Sequence, residues 1–354
     1  MVALYAYKRG GKVLKKVIDI ILSFSKENPV MIFFVLYIIF ALLFVPGFSS
    51  PVNLRNIIIQ STDLVIIACG LVFVVMNGGI DFSITSNIAI GSVIGAMIMS
   101  TSEGWLMGSI WATPAAIAAM LLCGLLIGCI NAFSVTILKM PSFIATMVTQ
   151  LVIGGLALWI PLSRTIPNLP ESFTFLHRGE LFPGLRMPVA IAILVVIVGS
   201  YMLHKSLFGR HLFAIGTNHK TSRISGVSVN KVIFKTFLIC GFLAALGGII
   251  TTARIGAGVP DLGRTIFLDV LAAIIIGGTS ITGGKGSIPG AAMGAVFVIV
   301  LMNSLSFMGV TWFAQNVFLG FLVLAAAVLD IIKQQNFSWG ANWLKRMPFR
   351  SENT

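Results

Sequence analysis

Charge is what this 354-residue sequence is short of. Only 10% of it is Asp, Glu, Lys or Arg, and the acidic residues number 11, whereas a soluble domain carries about 25% charged residues. That shortage argues against a water-exposed globule. Catalytic and metal-binding signatures are missing as well. The four cysteines, Cys69, Cys123, Cys129 and Cys240, sit in apolar runs without CxxC or CxxH spacing. The four histidines, His177, His204, His211 and His219, lie in polar loops, and no HExxH occurs. The cysteines read as small packing residues, and no metal site is expected. Residues 278–287, GTSITGGKGS, look like a phosphate loop but fail its spacing. The position five before Gly284 is Thr279, and Lys285 is followed by Gly286, where G-x-x-x-x-G-K-[ST] needs Gly and then Ser or Thr. The chain is therefore expected to hold no ATP of its own and to be no enzyme.

Apolar sequence is abundant, at 57% of the residues. At about 20 residues per crossing, that is enough for about ten membrane helices. Ten apolar runs with few charges are present, at residues 29–45, 57–76, 84–99, 109–138, 142–160, 188–203, 232–253, 266–281, 288–305 and 313–332. Backbone groups in hydrocarbon must be satisfied within the segment, so each run reads as a helix. The alternating strands of a barrel are absent. The expectation is an all-α polytopic membrane protein with about ten transmembrane helices.

Basic residues number 24, giving a net charge of +13, which in a soluble protein would suggest nucleic acid. Their placement gives another account. With ten spans and the N-terminus inside, 18 of the 24 fall on the inner side, and only Arg55, Arg164, Arg178, Arg186, Arg254 and Arg264 fall outside. This is the cytoplasmic excess of Lys and Arg in membrane proteins. Both termini are expected in the cytoplasm, the lipid bilayer is the expected surrounding, and no nucleic-acid partner is implied.

The organisation follows. Residues 1–28 read as a cytoplasmic or interfacial segment, with Leu14, Val17, Ile18 and Ile21 on one helical face. The apolar run after it is too long for a signal peptide and lacks an A-x-A-like site, so cleavage is not expected. Residues 29–332 form one transmembrane domain and 333–354 a cytoplasmic tail. Within the domain, 161–187 reads as an outer loop punctuated by Pro161, Pro167, Pro170 and Pro183, and 204–235 as a basic inner loop. Gly78, Gly79, Gly91 and Gly95 recur, shifted by 199, as Gly277, Gly278, Gly290 and Gly294. Such an echo suits paired short helices beside a transporter's pathway.

Asp63 is the clearest ionisable residue inside a span, with Asp81 and Asp269 near span ends. One carboxylate is thin material for ion coupling, and an almost uncharged interior suits a neutral, polar solute. Uncharged polar residues are more numerous, and interhelical hydrogen bonding explains most of them. Asn131, Ser142, Thr146 and Asn303 are the candidates for lining a pathway, and Phe143, after Pro141, for a gate. In residues 216–227, Thr217 or Asn218 can cap a helix and Gly226 can end it in the left-handed conformation. The result is a two-turn helix presenting Ile224 and Val227. Its surrounding cations fit either a docking element or simple attraction to anionic lipid, and the residues alone leave both open.

Several strings, taken together, point to a family: Gly78-Gly79-Ile80-Asp81-Phe82-Ser83, Pro141-Ser142-Phe143-Ile144-Ala145-Thr146, residues 208–216 with Asn218, Ser225-Gly226-Val227, and Leu268-Asp269-Val270-Leu271-Ala272-Ala273 leading to Gly277-Gly278-Thr279-Ser280 and Gly283-Gly284-Lys285-Gly286. Over about residues 53–330 the chain resembles the permease subunits of ribose-type ABC importers. The resemblance implies the importer permease fold in the bacterial inner membrane and an identical or homologous second permease subunit. It also implies two separate ATP-binding subunits, which hold ATP and Mg, and an extracytoplasmic binding protein that delivers a monosaccharide such as ribose. It makes Asn218, His219, Lys220, Thr221, Ser222, Arg223, Ile224, Ser225 and Gly226 the coupling helix that docks on the ATPase. Arg55, Arg254, Asp261 and Arg264 are then candidates for meeting the binding protein. The sequence departs from the pattern at Phe82-Ser83-Ile84-Thr85, at His219-Lys220-Thr221, and at Phe267, where the family has Glu. The competing expectation is a channel or ion-coupled transporter that acts without an ATPase.

Overall fold

The computed structural model describes residues 29–325, 327 and 328; the expected segment 1–28 and tail 333–354 lie outside the described residues. The helices are α1 (Pro29–Phe44), α2 (Pro51–Met76), α3 (Ile84–Met99), α4 (Ala112–Thr136), α5 (Ser142–Trp159), α6 (Glu171–Arg178), α7 (Met187–His204), α8 (Leu207–Thr217), α9 (His219–Ile224), α10 (Val229–Ile255), α11 (Ile266–Ile276) and α12 (Ile288–Phe307). A further helix, α13, runs over Trp312–Ala325. A two-stranded hairpin, β1 (Glu180–Phe182) and β2 (Leu185–Arg186), follows α6.

Among the described residues each of the ten apolar runs contains or overlaps a helix, but the helices are not equal. Six, namely α2, α4, α5, α7, α10 and α12, are long and apolar enough to cross a membrane. The other four are shorter: Phe34–Phe44 of α1, α3, α11 and α13. At 1.5 Å per residue, the 11 residues of α11 span only about 17 Å of a hydrocarbon core about 30 Å thick. Sequence placed the end of that span at residue 281; the helix stops at Ile276 because Gly277 and Gly278 follow. The chain is thus a helical, multi-pass membrane protein whose described helices supply six full-length crossings by their own length.

Helix ends follow local chemistry. Ser50 caps α2 by accepting from the Asn53 amide at 3.3 Å, with Pro51 at the first helical position, where its missing N–H costs nothing. Ser287 caps α12 in the same way, and Gly256, at φ +73°, closes α10. The spanning helices show little one-sidedness, so packing rather than amphipathicity decides which sit inside. Helix α2 is the axis of the bundle, buried without interruption from Ser61 to Met76. Helices α4 and α10 touch backbone to backbone: a methyl on Gly124, Gly128 or Gly241 would overlap the facing chain. Close approach of this kind is how helices associate when lipid removes the hydrophobic drive.

The glycine echo is real in one place and accidental in another. Helices α2 and α11 end in the same turn. Gly78 and Gly278 both lie at positive φ, +79° and +84°. The Gly78 and Gly79 amides donate to Val75 and Val74, and the Gly278 and Thr279 amides to Ile275 and Ile274. The equivalent positions are therefore 78 and 278, one residue off the shift of 199. Gly91 and Gly95 face Met120 of α4, whereas Gly290 and Gly294 face the backbone of α11, so those two pairs are not equivalent. In the 161–187 segment, Ile166 bridges to Gly258, and Ile166, Leu169 and Phe173 pack with Val93, Met99, Met120 and Ile249.

Candidate functional site

Helix α8 begins at Ser206, whose hydroxyl accepts from the Gly209 amide at 3.1 Å, and it ends at Thr217. Of the two possible caps for the next helix, the structure uses Asn218. Its backbone is extended, at φ −160° and ψ 106°, and its side-chain oxygen accepts from the Thr221 amide at 2.9 Å. The Thr217 hydroxyl instead donates to the Phe213 carbonyl at 3.0 Å. Helix α9 is six residues long and ends as the sequence suggested, with Gly226 at φ +82°. Ser222 is buried and Ile224 is 78% exposed. Val227 differs from expectation: it is half-buried against the main core, because its amide folds back to the Ser222 carbonyl at 3.1 Å. Only Ile224 is presented. Along residues 205–235, Lys205, Arg210, Lys220, Arg223, Lys231 and Lys235 are all exposed, and none pairs with a described acid.

This short helix is fastened to the bundle. The His219 ring nitrogen Nε2 lies 3.0 Å from the Asn77 carbonyl, and Asn77 Nδ2 donates to Thr236 Oγ1 on α10 at 2.9 Å. The amide of Gly284 donates to the carbonyl of Met76 at 3.0 Å. Gly216 sits where a methyl would strike both Met76 and Gly284. The end of α2, the α8–α9 junction and the turn between α11 and α12 therefore meet at one point.

The pathway candidates divide. Asn131, Ser142 and Thr146 converge on the turn between α2 and α3. Asn131 Nδ2 donates to Ser83 Oγ at 2.7 Å, Ser142 Oγ accepts from the Ile80 amide at 3.2 Å, and Thr146 Oγ1 lies 3.2 Å from the Ile80 carbonyl as a donor. Asp81 joins them, its Oδ1 accepting from the amide and hydroxyl of Ser83 at 2.9 and 2.6 Å. Two further oxygens of this group, Asp81 Oδ2 and Asn131 Oδ1, are buried and take no part in these bonds. Asn303 lies elsewhere, exchanging two 3.0 Å bonds with Asn53. Phe143 is half exposed on α5.

The docking candidates divide too. Arg55 pairs with Glu180 at 2.7 Å on the surface. Asp261 and Arg264 are exposed. Arg254 turns inward from the last turn of α10 to Asp63, at 2.9 Å, with side-chain exposures of 35% and 6%. Thr251, one turn earlier, donates to the same carboxylate oxygen at 3.0 Å. Sequence singled out both residues of this pair but not the pairing. A signal existed: Thr251 and Arg254, three apart, share a helical face. Above the pair, burial and then the positive charge of Arg254 hold the His177 imidazole below its ordinary pKa, with Asp63 opposing.

Comparison with known proteins fits this arrangement. The family described as branched-chain amino acid transport system / permease component matches residues 53–327. The ribose import permease protein RbsC of Bacillus subtilis (strain 168) is 35% identical over 307 residues, 86% of this chain and 92% of that protein. Its namesake in Escherichia coli (strain K12) is 33% identical over 293 residues, 82% and 88% of the two chains. The L-arabinose transport system permease protein AraH of Escherichia coli (strain K12) is 32% identical over 311 residues, 88% and 92%. No solved structure matches. With most of its length aligned to both, the chain belongs to the branched-chain amino acid transport system / permease component family, alongside that family's sugar-importer permeases.

Proposed function

We propose that this chain forms the translocation pathway of an ATP-driven importer for a neutral monosaccharide of the ribose or arabinose kind. It crosses the bacterial inner membrane ten times with both termini in the cytoplasm, the four short helices completing the six long ones. A second copy or a homologue pairs with it. Two separate ATPase subunits hold ATP and Mg, and an extracytoplasmic binding protein delivers the sugar, meeting exposed groups such as Arg55, Asp261 and Arg264. Arg254 leaves that set because Asp63 occupies it.

The observation that carries the reading is the α9 knuckle. A capped helix with one exposed apolar side chain, in a segment whose cations are exposed and pair with no described acid, suits a partner cleft with an apolar pocket and acidic rim. A lipid surface would need only the charge. The His219–Asn77 contact, and Gly216 of the preceding helix packed on Met76 and Gly284, give a push on α9 a route into α2 and α11, the two helices that end in the same turn. ATP binding and hydrolysis in the partner would then alternate the pathway between outward-open and inward-open states.

The test is solute-stimulated ATP hydrolysis by the reconstituted complex, comparing the native chain with Arg223→Glu/Ile224→Asp. Loss of stimulation is expected, and unchanged stimulation would remove α9 from coupling. The rival, a carrier working without an ATPase, predicts uptake by this chain alone in liposomes, driven by a proton or sodium gradient and abolished by Asp63→Asn. The ion pair disfavours it, because the Asp63 charge is already compensated.

A further inference from the structure

A cavity of about 330 Å³ opens between α2, α10, α11 and α12, with Gln60, Asp63, Arg254 and Asp269 as its polar lining and Ile266 and Ile299 among its apolar walls. Its size is at the lower end of small-molecule sites, and a mainly apolar wall with a few convergent polar groups is their usual make-up. The hydrogen-bonding capacity left over in it is unusual for a space between spanning helices. Asp63 is nearly used up, accepting from Arg254, from Thr251 and from the Leu64 amide. The Arg254 fork has five donors, and its one described ion pair is with Asp63. Asp269 is half-buried, and among the described residues nothing donates to its carboxylate. Spare donors and spare acceptors therefore face one space. In hydrocarbon, an ionisable side chain held this way marks a functional position.

We propose that this cavity is a station for a neutral polyhydroxylated solute, with Asp269 and Gln60 accepting from its hydroxyls and Arg254 donating to its oxygens. A hydroxyl both donates and accepts, so a sugar uses both kinds of spare group at once. A simple cation would meet Arg254, and a simple anion would meet Asp269. The station rests on the importer reading only for the choice of probe.

Site-directed labelling tests it in the full chain, assembled with its ATPase in membranes. Cys123→Ala and Cys129→Ala remove the accessible native thiols, and Ile266→Cys places a reporter on the cavity wall. The reaction rate with a small polar methanethiosulfonate is followed with D-ribose, L-arabinose, D-glucose, sodium chloride or leucine present. A sugar at three times its dissociation constant should slow labelling about fourfold by mass action. A reporter outside the cavity, Val52→Cys, should be unaffected. Adding Asp269→Ala should abolish protection, and Gln60→Ala, a change at an exposed position, should weaken it. No protection by any sugar, protection that survives Asp269→Ala, or protection only by sodium or leucine would each overturn the proposal. Labelling needs no nucleotide. Absent ATP-driven uptake therefore counts against the importer reading alone, and absent protection counts against the station alone.

Discussion

The amide of Gly284 donates to the carbonyl of Met76 across 3.0 Å, joining the turn after α11 to the end of α2. Two helices that stop in the same way are thereby held at their ends, and Gly216 of α8 is pressed into the joint. On the proposed coupling, movement of α9 would reach the bundle through this joint and through the His219–Asn77 contact.

Gly216→Ala should disturb that joint directly. The added methyl meets backbone atoms that cannot rotate aside, and overpacking of this kind costs about 1–3 kcal/mol. Thermal unfolding of the purified chain in detergent should move down accordingly, and solute-stimulated ATP hydrolysis should fall with it.

Asn218→Ala removes the cap of α9 and should cost about 1 kcal/mol, concentrated in a helix only six residues long. Asn218→Asp keeps the accepting oxygen. Stimulated hydrolysis should drop in the alanine variant and be retained in the aspartate variant; equal loss in both would argue that the cap is irrelevant.

Breaking the Asp63–Arg254 pair should be asymmetric. Arg254→Met leaves a carboxylate that is 6% exposed without its counter-charge, whereas Asp63→Asn leaves a guanidinium that is 35% exposed and able to reach water. Removing one partner of a buried pair costs about 3–5 kcal/mol, so Arg254→Met should approach that figure and Asp63→Asn fall well short. The double variant should be more stable than Arg254→Met, as thermal unfolding would read out.

His177 should make stability depend on pH. Its folded pKa lies below its unfolded value, mainly through burial, so the unfolded chain binds more protons as pH falls. Stability is then fully present above the ordinary histidine pKa of about 6.5 and declines below it. His177→Gln should flatten the unfolding temperature between about pH 7 and 5 relative to the native chain; an unchanged slope would refute the assignment.

The helices were legible because Gly, Pro and Ser punctuate the apolar runs. Gly277-Gly278 ends α11, Ser287 starts α12, and Asn218 with Gly226 bounds α9. The span read as 266–281 came out long because Ile281 is as apolar as the helix itself; hydropathy does not register a left-handed turn at Gly278. The candidate site was legible in its residues but not in its pairings. Arg254 reads as an interfacial charge until the fold brings it to Asp63, and Val227 reads as presented until its amide folds back on Ser222. Both outcomes depend on long-range packing or a single backbone bond; the shared face of Thr251 and Arg254 is local, but it does not name Asp63 as the partner.

The Asp63–Arg254 pair also sets a problem of timing during synthesis. Arg254 follows Asp63 by 191 residues, and a ribosome adding about 5–20 residues per second takes roughly 10–40 s to cover that distance. For that interval α2 carries a carboxylate whose insertion at mid-helix costs about 2.5–3.5 kcal/mol, with its partner not yet made. The axis of the finished bundle thus carries a charge that its own helix does not compensate, and the compensation arrives only with α10.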